Sequence, residues 1–150
     1  MSALNSPFGH PRWGLQFYWW AVDPLGCVGL FYSAFGAVPS AANAHTQVFD
    51  EATALAKTRY PEWFDAYCPH DEYQPHCVIE LARGPYLFMW DEVHDDRYTQ
   101  YGVPGQPTLL SELPVELKRA ALLVKVGFIF DETPQIQLSY PEEKEVLSAM

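Results

Sequence analysis

The chain has 150 residues, with 19 Asp and Glu against nine Lys and Arg, and its formal net charge is -10. This excess of acid disfavours DNA and RNA as ligands, because phosphate contacts need Lys and Arg. Hydrophobic residues make up 49% of the chain and charged residues 19%, a balance too apolar for a disordered protein. The length predicts a single domain with one core over residues 1–150.

The N-terminal sequence and the cysteines bear on the cellular compartment. Residues 1–14 lack the basic start and apolar run of a signal peptide. No stretch of about 18 apolar residues predicts a membrane span. Cys27, Cys68 and Cys77 are odd in number, which favours reduced thiols. We therefore expect a cytoplasmic protein that makes no membrane contact.

The first predicted element is a β-hairpin. Residues 15–22 are rich in aromatic and other strand-favouring side chains. Residues 23–26 (DPLG) place Asp, Pro and Gly at the positions that a type I turn prefers. Residues 27–35 return as the second strand. Both faces of the first strand are apolar, which predicts a central strand covered on both sides.

Two main helices follow from the helix-forming residues. Residues 41–57 contain no Gly or Pro, and Ser40 can cap their N-terminus. The second main helix is predicted to start within residues 111–114 and to carry an apolar stripe. Pro61 is suited to the first turn of a short additional helix.

Further short strands complete the predicted fold. They are expected at residues 86–90, 98–102, 126–130 and 135–140, and residues 141–150 are expected to be a charged tail with a helical turn. Together the elements predict an α+β domain, with a mostly antiparallel sheet of about five strands and two main helices packed on it.

Acidic and aromatic residues are interleaved in the middle of the chain. Between Glu62 and Asp96 there are nine acids and one base, Arg83. Such a sequence can form a negative, adhesive surface that suits a basic protein partner. The predicted contact residues are Trp63, Asp65, Tyr67, Glu72, Tyr73, Asp91, Glu92, Asp95 and Asp96.

One cluster offers possible metal ligands. Cys68, His70, His76 and Cys77 lie within ten residues, and zinc prefers such ligands. Structural zinc sites usually separate two ligand pairs by about a dozen or more residues, so closure here is awkward. Residues 91–96 lack the Gly of a calcium-binding loop. We expect no metal or other cofactor, and a small metal-assisted hydrolase built on the Cys68 cluster is the enzymatic alternative.

No catalytic motif accompanies these features. Cys27 lies among apolar residues in a predicted strand, which is typical of a buried and unreactive thiol. Ser33 is not in a nucleophile elbow. No Gly-rich phosphate loop opens a helix. We therefore expect a binding protein and not an enzyme.

The hairpin sequence also carries a family resemblance. Residues 18–31 (YWWAVDPLGCVGLF), followed by 36–39 (GAVP) and a helix, resemble the openings of small bacterial immunity (antidote) proteins, which are encoded beside polymorphic or secretion-system toxins. Residues 101–104 (YGVP) and 110–114 (LSELP) fit the same pattern. The resemblance implies a cytosolic protein that binds one cognate toxin domain, with a basic surface, and occludes its active site. It assigns no individual residue a role.

A homo-oligomeric structural module is the remaining alternative, because exposed aromatic residues of two copies could meet each other. The sequence leaves the oligomeric state and the activity of the toxin open.

Overall fold

The computed structural model of the protein describes residues 17–33, 36–65, 79–90, 97–139 and 146–149. The strands, in chain order, are β1 (Tyr18–Val22), β2 (Val28–Tyr32), β3 (Ile79–Gly84), β4 (Tyr86–Trp90), β5 (Arg97–Pro107), β6 (Gln135–Ser139) and β7 (Val146–Ala149). The helices are α1 (Ser40–Ala44), α2 (Thr46–Arg59), α3 (Glu62–Asp65) and α4 (Val115–Ala121), with 3₁₀ turns at Leu110–Glu112 and Phe130–Glu132.

The seven described strands form one mixed sheet. Its order is β1-β2-β4-β5-β6-β7, and β3 pairs with β5. The pairs β2/β4 and β3/β5 are parallel, and the other pairs are antiparallel. The predicted α+β class is confirmed, but the expectation of about five mostly antiparallel strands is wrong. One reason is the connection between β2 and β4, which contains α1, α2, α3 and β3 and makes β2 and β4 parallel.

The predicted hairpin is confirmed. β1 pairs with β2 from Tyr18↔Tyr32 to Val22↔Val28. In the turn, the Gly26 N–H donates to the Asp23 carbonyl at 3.0 Å. Gly26 has a φ of 83°, a conformation that glycine adopts without a Cβ clash. The Asp-Pro-Leu-Gly sequence therefore sets the register of the first two strands.

One face of β1 packs against helices. Trp20 is fully buried, and its indole N–H donates to the Thr53 hydroxyl of α2 at 3.3 Å. α2 and α4 both contact β1 and also contact each other. α2 turns Phe49, Ala52 and Ala56 toward the core. Burial of a side chain as large as Phe49 contributes roughly 2–3 kcal/mol to folding.

The other face of β1 carries a stack of aromatic rings across three strands. The ring centroids of Trp19 and Phe31 are 4.0 Å apart, and those of Phe31 and Phe88 are 4.7 Å apart. The interplanar angles of these two pairs are 11° and 9°. Tyr98 of β5 packs edge-on against both Trp19 and Phe31. β1 therefore buries both faces, as its sequence predicts.

Several predicted boundaries are wrong. The helix expected over residues 41–57 is divided at His45, whose φ of -126° and ψ of 39° are not helical. Residues 126–130, expected as a strand, instead lead into a 3₁₀ turn that buries Phe130. The helical turn expected in the tail is replaced, over Val146–Ala149, by β7. Short apolar runs support either strand or turn, and only their tertiary neighbours decide between them.

Candidate partner-binding surface

Several strands end at one edge of the sheet. Tyr18 at the start of β1 pairs with Tyr32 at the end of β2. Tyr32 in turn pairs with Met89, one residue before the end of β4. Trp90 at the end of β4 pairs with Tyr98 near the start of β5. We call this edge the Tyr32 end of the sheet.

The last hairpin reaches the same edge. Arg97, the first residue of β5, pairs with Gln137, the middle residue of β6. Ser139, where β6 ends, pairs with Val146, where β7 begins. The Tyr32 end therefore includes four strand ends next to connecting segments: Trp90, Arg97, Ser139 and Val146.

The segments between those strand ends are strongly acidic in sequence. Residues 91–96 and 140–145 lie outside the described residues, and together they contain seven acids and one Lys. Their chain neighbours on both sides are at the Tyr32 end. The acidic sequences are therefore attached to one edge of the sheet.

Three partly exposed aromatic side chains and one exposed lysine lie at the same end, and we call them the Tyr18 cluster: Tyr18, Tyr32, Phe64 and Lys57. The Tyr18 and Tyr32 rings stack with centroids 4.8 Å apart, and Phe64 packs edge-on against Tyr18 at 5.2 Å. Lys57 Nζ lies 4.9 Å from the centre of the Tyr18 ring, a cation–π distance. Burial raises the pKa of Tyr32 above the ordinary value of a phenol.

The sequence contains a signal for part of this cluster, because the hairpin register places two tyrosines opposite each other. Tyr18 and Tyr32 are opposite each other once the hairpin register is set by the turn at residues 23–26. Directly opposite residues on an antiparallel pair project from the same face. Phe64 could not have been placed, because its contact with Tyr18 depends on how α3 packs.

Trp63, a predicted contact residue, lies in the core. Its side chain is only 3% exposed, and its ring stacks on Tyr60 with centroids 4.0 Å apart. It also packs against Trp20 at 6.2 Å. A Cβ placed on Gly84 would lie 2.8 Å from the Trp63 indole nitrogen, which shows how closely β3 approaches the ring. Trp63 therefore joins α3 to the sheet and is not an exposed anchor.

The other predicted contact residues lie at or beyond the boundaries of the described residues. Asp65 is the last residue of α3 and follows Phe64 of the Tyr18 cluster. The predicted contact residues outside the described residues are Tyr67, Glu72, Tyr73, Asp91, Glu92, Asp95 and Asp96. The possible zinc ligands Cys68, His70, His76 and Cys77 are outside them too. Among the residues that are described, no group of three or more His, Cys, Asp or Glu could hold a metal ion.

A buried carboxylate, Asp23, lies at the opposite end of the hairpin, in its turn. Asp23 is 5% exposed, and its Oδ1 accepts hydrogen bonds from the N–H groups of Leu25 at 3.0 Å and Cys27 at 2.9 Å. Its Oδ2 accepts from the N–H of Phe130 at 3.1 Å. Backbone donors thus occupy both carboxylate oxygens, which gives Asp23 a structural role.

The thiol beside this carboxylate is not activated. Burial, together with the negative charges of Asp23 and Asp131, raises the pKa of Cys27. A nucleophilic cysteine needs the opposite shift. Tyr86 donates a hydrogen bond to Asp131 Oδ1 at 3.1 Å, and its burial and this bond raise the Tyr86 pKa. The expectation that Cys27 is buried is confirmed.

Comparisons of the chain with models of protein families, with curated proteins and with solved structures find no match. No helix in the described ranges has the length and hydropathy needed to cross a membrane.

Proposed function

We propose that the chain is a bacterial immunity protein that binds a cognate toxin in the cytoplasm and occludes its active site, with the Tyr32 end of the sheet as its contact surface. The observation that supports this most is the shared edge at which Trp90, Arg97, Ser139 and Val146 lie. These residues hold both ends of the two acidic segments 91–96 and 140–145. One surface then combines negative charge with the aromatic rings of the Tyr18 cluster.

The two kinds of residue contribute differently to binding. Carboxylates steer a basic partner and raise the association rate, an effect that salt screens. Aromatic side chains supply most of the affinity at the centre of an interface. Tyr18, Tyr32 and Phe64 are partly exposed, and their packing against one another holds the rings in place before binding. Such preorganisation lowers the entropy cost of association.

The charge balance supports a basic partner. The chain carries 19 acids against nine bases, and the segments 91–96 and 140–145 together hold seven of these acids and one Lys. Both segments start and end at the Tyr32 end. A toxin with a basic surface around its active site is complementary to that distribution.

Co-expression tests this function. The product of each gene next to this one is induced in bacterial cells with and without the chain, and growth is measured. We expect one neighbour to be toxic and the chain to restore growth. The double variant Asp95→Lys with Asp96→Lys should bind the toxin more slowly and with a weaker dependence on salt, because it removes the steering charge.

A control separates local charge from net charge. Glu116→Lys with Glu132→Lys changes the net charge equally at two exposed positions on α4 and on the 3₁₀ turn that follows Ile129. The control should protect cells as the unchanged chain does. Equal effects of both double variants would reject the Tyr32 end as the contact surface. Two outcomes would reject the immunity function. In the first, no neighbouring gene product inhibits growth, and in the second, the chain does not restore the growth that such a product inhibits.

A further inference from the structure

β7 is the last strand of the sheet order and has an open edge. It pairs with β6 from Ile136↔Ala149 to Ser139↔Val146, and no other described strand pairs with it. Its residues are half-buried or exposed. Within the described ranges, the side of β7 away from β6 is therefore unpaired.

One hydrogen bond between β5 and the residue before β6 fixes the direction of the β6 backbone groups. The Gln100 N–H donates to the Pro134 carbonyl at 2.8 Å, and the register places these two residues opposite each other. Successive residues of a strand direct their N–H and C=O groups to alternate sides. The backbone groups of Ile136 therefore face β5, and those of Gln137 face β7.

The outward groups of β7 follow from its register with β6. Gln137 pairs with Ser148, so the N–H and C=O of Ser148 point to β6. The same groups of Leu147 and Ala149, on either side of Ser148, therefore point away from the sheet. Neither β6 nor β7 contains proline, and their register runs without a shift. The outward groups are the donors and acceptors that an additional strand requires.

The buried face of the sheet continues to this edge. Leu147 is opposite Leu138, and directly opposite residues of an antiparallel pair project from the same face. Leu138 is fully buried, whereas Leu147 is half-buried and packs at the margin of the core. An apolar side chain from a strand added beyond β7 would lie beside Leu147 and cover it.

The sequence next to this edge is acidic. Residues 140–145, which connect β6 to β7, contain three Glu and one Lys and lie outside the described residues. Their chain neighbours Ser139 and Val146 are both at the Tyr32 end. A strand added to β7 therefore runs beside the residue to which this negative sequence is attached, and a basic strand is complementary to it.

We infer that the outer edge of β7 binds an extended segment of a basic protein as an additional strand. The outward peptide groups of Leu147 and Ala149 require an extended backbone as the occupant, which is recognition by strand addition. The acidic residues 140–145 select a segment that carries Lys or Arg, and the margin of the core at Leu147 selects apolar side chains at alternate positions. A second copy of the chain is disfavoured, because two net charges of -10 repel each other. The inference rests on the proposed function in one respect, since the toxin is the basic protein that would supply the strand.

Hydrogen exchange of the protein alone tests the direction of the backbone groups. The N–H groups of Val146 and Ser148 bond to β6, whereas those of Leu147 and Ala149 face outward. We expect the Leu147 amide to exchange at least about tenfold faster than the Ser148 amide, because hydrogen-bonded amides exchange only on local opening. Faster exchange at Ser148 than at Leu147 would overturn the inference.

A peptide titration tests the binding without the toxin. The probe is a capped peptide of alternating Lys and Val, added to ¹⁵N-labelled protein. We expect chemical-shift changes centred on β7 and slower hydrogen exchange at the amides of Leu147 and Ala149. A capped peptide of alternating Glu and Val should bind at least about tenfold more weakly, because its charge has the wrong sign.

Two variants at one position isolate the backbone contribution. Ala149→Pro removes an outward N–H, and proline is tolerated in an edge strand where that group faces solvent. Ala149→Ser changes the side chain and keeps the N–H. We expect Ala149→Pro to weaken peptide binding about tenfold and Ala149→Ser to change it less than about threefold. Exchange protection of the Ser148 amide reports whether β7 stays paired with β6.

The outcomes are distinct. Equal binding by the two variants, shifts away from β7, no binding of the Lys-Val peptide, or a dimer of the chain that protects the Leu147 and Ala149 amides would overturn the inference. If Ala149→Pro releases β7 from β6, protection of those two amides by the peptide in the unchanged protein decides. A toxin that binds without protecting them would overturn the inference and leave the immunity function intact. Peptide binding at β7, when no neighbouring gene product is a toxin, would support the inference and reject the function alone.

Discussion

The backbone N–H of Phe130 donates a hydrogen bond to Asp23 Oδ2 at 3.1 Å, although 107 residues separate the two. The other oxygen of this carboxylate accepts from two N–H groups of the hairpin turn. Asp23 therefore ties the first hairpin to the segment that follows α4. Phe130 then packs against Phe31 and Phe88 of the central strands.

We expect Asp23→Ala to destabilise the fold by about 3 kcal/mol, because it leaves three N–H groups without their acceptor and hydrogen bonds to charged groups are strong. Asp23→Asn keeps one acceptor oxygen and should cost less. Urea denaturation of both variants measures the free energies of unfolding. A loss below about 0.5 kcal/mol for Asp23→Ala would contradict the structural role of this carboxylate.

The Tyr98 hydroxyl joins the aromatic stack to the loop before α1. It accepts a hydrogen bond from the Trp19 indole N–H at 3.1 Å and donates one to the Ala37 carbonyl. Tyr98→Phe leaves both buried partners unsatisfied and should cost about 2 kcal/mol. Tyr60→Phe, at a partly exposed ring, is the matched control and should stay within about 0.5 kcal/mol of the unchanged protein. Equal effects of the two changes would reject the contribution of the Tyr98 hydroxyl.

The buried phenols predict a loss of stability at alkaline pH. Burial raises the pKa of Tyr98, and burial with the Asp131 hydrogen bond raises that of Tyr86. The unfolded chain loses these protons near pH 10, whereas the folded chain still holds them. The contribution to stability is therefore complete below about pH 10 and falls as the pH rises above it.

Denaturation across that pH range, with tyrosinate absorbance recorded in parallel, measures this linkage. Tyr98→Phe and Tyr86→Phe should each make the fall of stability with pH less steep. Ionisation of all tyrosines near pH 10 without unfolding would contradict the burial of the two phenols.

Close packing at Gly102 allows a test with a matched pair of glycines. A Cβ placed on Gly102 would lie 2.3 Å from Leu87 Cδ1, whereas a Cβ on Gly127 would meet no atom within 4 Å. Gly102→Ala should therefore cost about 2–3 kcal/mol through overpacking. Gly127→Ala should change stability by less than about 0.5 kcal/mol. Similar values for both variants would show that β4 and β5 are not packed this closely at Gly102.

The hairpin could be predicted because its information is local. The turn sequence at residues 23–26 fixes the reversal, and the alternating aromatics of β1 indicate two buried faces. The parallel pairing of β2 with β4 could not be predicted, because it depends on the path of the chain through three helices. Residues 78–82 are a short apolar segment whose type the sequence leaves open, and the pairing of Ile79–Gly84 with β5 makes it a strand.

The candidate surface was predicted in part. The acidic sequence is evident from composition, but its attachment to one edge of the sheet follows only from the strand order. Trp63 was expected at the contact surface because large aromatics are common in binding sites. The same side chain is equally suited to a core, and its packing against Tyr60 and Trp20 places it there. Burial of a single aromatic residue depends on tertiary neighbours that the local sequence does not specify.

The most direct test of the immunity function is size-exclusion chromatography with light scattering, applied to mixtures of the chain with the product of each neighbouring gene at low and high ionic strength. We predict a complex with one such product that weakens at high ionic strength and with Asp95→Lys and Asp96→Lys, and that persists with Glu116→Lys and Glu132→Lys. Absence of a complex with every neighbouring product, or a complex that neither salt nor the Asp95 and Asp96 changes affect, would contradict a toxin-binding acidic surface.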